Sequence, residues 1–243
     1  MRTITFFSLI GFVLLSMVAH QAVGQMFMSW EAEQYASMNG DAIQTLKHPF
    51  KTTDSDGVEF EITEASNDTF LGVPNGAGND SGAWLKYEFP IRMAGDWYFW
   101  GRVIAPTPAD NSFFWAFDMA DADAAPGAAG TNIWDFNEAA GNSINYPLGE
   151  GVTAEQKKMW IWFRISSRAG PFPGVGSYDD PTGVDLTVGQ HTLHLIHRED
   201  GTYIDKFFAT TKADFDANET DPSTAVDAKG KLATSWGNLK RGF

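Results

Sequence analysis

From Trp30 onward, apolar and polar residues alternate with a period of two in short runs separated by Gly, Pro, Asn and Asp. Alternation of this kind, with little helical periodicity, predicts many half-buried strands in a sandwich or barrel. The clearest strands are expected over 58–63, 83–89, 95–104, 112–119, 159–165, 189–198 and 202–210. Between the last two, Glu199-Asp200-Gly201 predicts a tight hairpin turn, because Asp-Gly accepts the positive φ values such turns require.

Two stretches break the rhythm. Residues 120–158 are rich in Ala, Gly, Asn and Asp, and their length marks either a functional surface loop or a mobile insertion. Residues 212–243 read as a polar tail, either disordered or ending in a segment around Trp236 that docks on a partner. At the other end, Arg2, the apolar run 6–18 and the small residues Ala22-Val23-Gly24 have the form of a secretory signal peptide over 1–24. The run is too short to span a bilayer, so the expectation is a secreted or cell-surface protein with no membrane contact after cleavage; an uncleaved anchor is the alternative. The expected division is signal 1–24, one β-sandwich over 25–211, and tail 212–243.

Composition narrows the chemistry. The formal charge of −14 and the lack of any Lys/Arg cluster argue against a nucleic-acid partner. With no cysteine there are no disulfides and no thiolate chemistry, so stability outside the cell falls to packing, helped where possible by a hard cation. Aromatic residues make up 14% of the chain, with nine Trp, enough to fill a core and leave rings for a sugar-binding face.

Several local patterns then occur in an order that resembles carbohydrate-binding modules of families 6 and 35. They are Glu31-Ala32-Glu33, Trp84-Leu85-Lys86-Tyr87, Gly95-Asp96-Trp97-Tyr98, Gly101-Arg102-Val103 and Asn111-Ser112-Phe113-Phe114 running to Asp118. Trp160-Ile161-Trp162, Gly189-Gln190-His191-Thr192-Leu193 and Arg198 to Thr202 with Ile204-Asp205-Lys206 complete the set. The resemblance implies an all-β jelly-roll sandwich, galactose-binding-domain-like, with a structural Ca2+ held by Glu31, Glu33 and Asp205 where the two ends of the domain meet. Independently, two glutamates two apart on a strand point the same way, and calcium takes hard oxygen ligands. The resemblance also implies a polysaccharide or glycan ligand in a cleft of loops at one end. Candidate flanking rings are Trp84, Trp134, Trp160 and Tyr178, with Asn111 or Asp135 as polar partners. The long segment before Trp160 departs from the family pattern, and either builds or covers that cleft.

Catalytic groups are harder to find. His191, His194 and His197 look like a metal cluster until strand periodicity puts His194 and His197 on opposite faces. Gly78-Asn79-Asp80-Ser81-Gly82 lacks the spacing of a nucleophile elbow, and Asp54-Ser55-Asp56-Gly57 lacks the later ligands of a calcium loop; both read as turns. Nothing singles out a pair of carboxylates for glycoside cleavage. The Asn-x-Ser/Thr triplets at Asn67, Asn79 and Asn218 fit the glycosylation sequon. The expected function is therefore non-catalytic glycan binding. A structural or adhesive surface protein without a cleft, and a polysaccharide hydrolase or lyase, are the alternatives.

Overall fold

A computed structural model describes residues 26–136, 158–166, 183–215 and 217. The expected signal peptide, Tyr178 and nearly all of the expected tail lie outside the described residues. The strands are β1 (Phe27–Glu31), β2 (Ser37–Asn39), β3 (Gln44–Lys47), β4 (Phe50–Thr53), β5 (Glu59–Ile62), β6 (Thr69–Gly72) and β7 (Trp84–Ile91). They continue with β8 (Gly95–Ile104), β9 (Ser112–Phe117), β10 (Asn132–Asp135), β11 (Ile161–Arg164), β12 (Val184–Leu186), β13 (Gly189–His197) and β14 (Tyr203–Thr210). Among the described residues no helix is long and apolar enough to cross a membrane.

The strands form two antiparallel sheets packed face to face, an all-β sandwich. One sheet runs β11-β8-β14-β6-β3, with β1 also on β14 and β12 on the start of β8; the other runs β10-β9-β13-β7-β2. A separate hairpin pairs β4 with β5. The seven strands expected from alternation are all present, and β8 matches at both ends. The short strand β10 lies within 120–158, so that segment is not all loop: Asn132–Asp135 belongs to the sheet, after a stretch of turns.

Alternation explains the core. On β13, Leu193 and Leu195 point between the sheets, while His194 and Ile196 face outward. Trp30 on β1 lies between the rings of Phe89 and Phe207 at centroid distances of 5.8 and 5.3 Å, nearly parallel to both. Burial of several such rings supplies the main stabilisation, at roughly 25 cal/mol per Å² of apolar surface. The outer faces are covered as well: the β4–β5 hairpin packs Phe50, Phe60 and Ile62 over Phe70 and Tyr203. Phe215 and Ala217 pack on Trp100 and Phe208, which extends the sandwich beyond residue 211.

One irregularity positions chemistry. The pairing of β14 with β8 slips between Ile204 and Lys206, so Asp205 is a bulged residue with no partner in that ladder. Ile204 and Phe207 face the core, whereas Asp205 and the adjacent Lys206 both reach polar partners on the outer side. A bulge permits this because the extra residue breaks the two-residue alternation.

Candidate functional site

The bulge brings the three sequence-predicted metal ligands together beside the β1–β14 pairing, in which Glu31 stands opposite Lys206. Glu33 lies in the turn that follows β1, not on the strand as alternation implied. Asp205 is 0% exposed: one oxygen accepts the Ser66 N–H at 2.7 Å and the other accepts Arg102 at 2.6 Å. Glu31 Oε1 pairs with Lys206 Nζ at 3.1 Å, and Glu33 Oε1 accepts the Thr69 hydroxyl at 2.8 Å. The remaining oxygens, Glu31 Oε2 and Glu33 Oε2, are buried without a hydrogen-bond partner. Burial pushes the Glu33 carboxyl above its usual range, and the charges of Glu31 and Asp205 add to the rise. Burial also raises Asp205, against the pull of Arg102.

The cluster is thus a set of hard oxygens with an unanswered excess of negative charge, which is the donor chemistry calcium takes. Two buried acceptors without partners cost free energy that a cation, or water, would recover. As the side chains stand, no group of three or more acids and histidines among the described residues is closed tightly enough to hold a metal ion. The cations Arg102 and Lys206 hold two of the three carboxylates instead.

A second polar cluster occupies one end of the sandwich, where 54–58, 73–83, 105–112 and the 198–202 turn meet. Gly201 has the positive φ (69°) expected there, but 198–202 is not the hairpin turn the sequence predicts: β13 and β14 lie in different sheets, and the segment crosses from one to the other. A Cβ at Gly201 would sit 2.5 Å from Asp110 Oδ1. Asp110 bonds Ser55 and Thr107, and Asp200 accepts the N–H groups of Gly76 and Gly78. Glu199 accepts the Asn111 N–H at 3.1 Å and the Ser112 hydroxyl, and also pairs with Arg198. Asn111 Oδ1 is left buried without a partner. Asp54 accepts the N–H groups of Asp56 and Val58 and pairs with Lys158, a self-satisfied turn as its sequence suggested.

Of the predicted cleft residues, Asn111 lies in this cluster, and Asp135 is close by, since Asp135 pairs with Ser112 and the Phe136 N–H bonds the Asn111 carbonyl. Trp160 stands at the same end, just before β11, whose first residue pairs with Val103 near the end of β8. Its ring is half-buried, donates Nε1–H to the Thr63 carbonyl at 2.7 Å and lies under Arg102. The other two described rings are not cleft residues. Trp134 is 0% exposed, its indole reaching across the sandwich onto Gly101 and donating to the Arg164 carbonyl at 2.9 Å. Trp84 is 8% exposed and packs with Phe114 and Ile196 on the outer face of the second sheet. Both sit on strands, where the ring fills a packed layer; position in an apparent loop misled the sequence reading of Trp134.

The histidines of β13 divide as periodicity required. His194 faces outward to Asp121 at 3.1 Å, whereas His197 bonds the Ser81 hydroxyl at 2.6 Å. His191 contacts Asp118 and the Thr187 carbonyl, two acceptors at 2.6 and 2.8 Å. Sequence reasoning did not find Arg102, Lys206 or Glu199; only the bulge and the loop packing bring them to these clusters.

No family model matches the chain, and no curated protein does. The chain is similar to solved carbohydrate-binding modules of families 6 and 35. The family 6 module of a marine laminarinase from Zobellia galactanivorans is 15% identical, covering 76% of this chain and 100% of that one, with a TM-score of 0.36. A family 6 module from Cellvibrio mixtus lichenase 5A, in complex with cellotriose, is 15% identical over 76% and 97% of the two chains, with a TM-score of 0.39. A family 35 module from Clostridium thermocellum is 8% identical over 76% and 97%, with a TM-score of 0.41.

Proposed function

We propose that this is an exported, non-catalytic glycan-binding protein whose sandwich is stabilised by calcium at Glu31, Glu33 and Asp205. The observation that carries the reading is the pair of buried, unpartnered oxygens of Glu31 and Glu33 beside Asp205, where the first and last strands meet. When bound, calcium supplies the positive charge these carboxylates lack and ties β1 to β14. Sugar binding is supported by the polar loop end. There Trp160 offers a partly open ring beside the polar loops that Asp110, Glu199 and Asp200 hold, while Asn111, 1% exposed, lies beneath that surface. Polar groups that fix orientation beside an aromatic surface are what a small-ligand site needs. The ordered sequence motifs point the same way. Export is supported by the charged and apolar pattern of 1–24.

Calorimetric melting with calcium and with a chelator tests the metal: a higher transition temperature in calcium is expected, and an unchanged one refutes the site. Binding to a glycan panel that includes cellotriose tests the cleft, with Trp160→Ala expected to weaken it at least about tenfold. A folded protein that binds no glycan would instead be a structural or adhesive one.

A further inference from the structure

The acid cluster already contains a positive charge at its open side. Lys206 Nζ lies 3.1 Å from Glu31 Oε1 and 3.5 Å from the Ser66 hydroxyl, while the Ser66 N–H bonds Asp205. Its side chain is 24% exposed, so it has a path to solvent, whereas Asp205 has none. The bulge at Asp205 puts Asp205 and Lys206 on the same side of β14, where regular alternation would have set them on opposite sides. Arg102 is fixed differently, since it also donates to the Glu64 carbonyl and packs on Trp160. Lys206 is therefore the cation that can leave.

We propose that Lys206 is a tethered counter-ion that competes with calcium for the acid cluster and sets its affinity. This rests on the calcium reading above. With the ammonium in place, three carboxylates face two monocations and one negative charge stays unanswered. When Lys206 swings into solvent, a dication balances the cluster and the oxygens of Glu31 become free to close on it. The exchange keeps the excess negative charge at the β1–β14 junction to one at low calcium and makes metal uptake depend on breaking one partly exposed ion pair. Such pairs are weak and salt-screened, so the competition is modest and reversible.

Isothermal titration of the full chain with calcium chloride at low ionic strength tests this. Removing the ammonium in Lys206→Met, with Lys206→Gln as the second form, is expected to tighten calcium binding about five- to tenfold, whereas Lys206→Arg keeps the charge and gains nothing. Circular dichroism confirms that each variant is folded. Equal affinities for wild type and both neutral variants overturn the inference and leave the calcium site standing. Tightening in Lys206→Arg as well would also overturn it, because charge would not be the cause. Calcium binding by the neutral variants alone would support it, and no binding by any form overturns both the inference and the site.

Discussion

Replacing Gly101 with alanine tests whether Trp134 belongs to the core. Gly101 lies on β8 with its missing side chain directed between the sheets, and a Cβ there would stand 3.1 Å from Trp134 Cζ2, with Cη2 closer still. The indole cannot retreat easily: Nε1 is held by the Arg164 carbonyl, and Phe136 lies edge-on at 4.8 Å. Overfilling a packed core costs about 1–3 kcal/mol. Alanine's smaller unfolded-state entropy returns about 0.5–1 kcal/mol of this, leaving a net destabilisation of about 1–2 kcal/mol. In a Trp134→Phe background the far edge of the indole is gone and the new methyl fits the vacated space. There the same substitution should be neutral or stabilising, a coupling of at least about 1 kcal/mol between the sites. Urea denaturation of the four proteins, with m-values compared to confirm two-state behaviour, gives all the required differences. Equal costs for Gly101→Ala in both backgrounds would refute the packing argument and return Trp134 to the candidate flanking rings of the cleft.

Asp205→Ala should destabilise by about 2–3 kcal/mol in the same assay, less than for a fully buried pair because Arg102 is 24% exposed; a loss below about 0.5 kcal/mol would contradict the pairing. Gly201→Ala combines a positive φ with a 2.5 Å approach to Asp110 and should lose about 2 kcal/mol or more, whereas Gly57→Ala, in open space, should lose about 1 kcal/mol. His191 should give a signature in pH. Burial opposes its charge, but the Asp118 carboxylate and the Thr187 carbonyl outweigh that and raise its pKa. A raised folded-state value means its contribution is fully present below the unfolded pKa of about 6.5 and is lost as pH rises through the folded value. The stability gap between wild type and His191→Gln should therefore shrink on going from acid to alkaline pH. His194 and His197, both lowered by burial, act in the opposite direction and cancel in this difference. A gap that widens with pH would show that His191 is neutral in the fold.

The long strands were legible because one face of each is buried, so every second residue had to be apolar; β8 and β13 show this over nine or more positions. Short strands such as β10 carry too few residues for a period to register, and Asn132 to Asp135 was read as loop. The acid cluster was legible in its carboxylates, since Glu31, Glu33 and Asp205 do converge. Its counter-charges were not, because the bulge that sets Asp205 and Lys206 on one side of β14 is a property of the β14–β8 register and leaves no mark on composition. The cleft was read least well. A Trp next to a long loop looks the same in sequence whether its ring spans the core, as Trp134 does, or stays half-open, as Trp160 does.

Pairing β1 with β14 also governs how the chain folds. Phe27 stands opposite Thr210, and the Met26 N–H reaches the Thr211 hydroxyl across 185 positions of sequence. Joining such distant segments demands a large loop-closure entropy before any contact rewards it, so this junction should form late and the whole domain should fold slowly. Chains that have collapsed around Trp97 and Phe99 but not yet docked β1 leave open the edge of β14 that β1 covers. The Glu31–Asp205 neighbourhood exists only after that last step, so a spectroscopic probe placed there would time the end of folding, not its beginning.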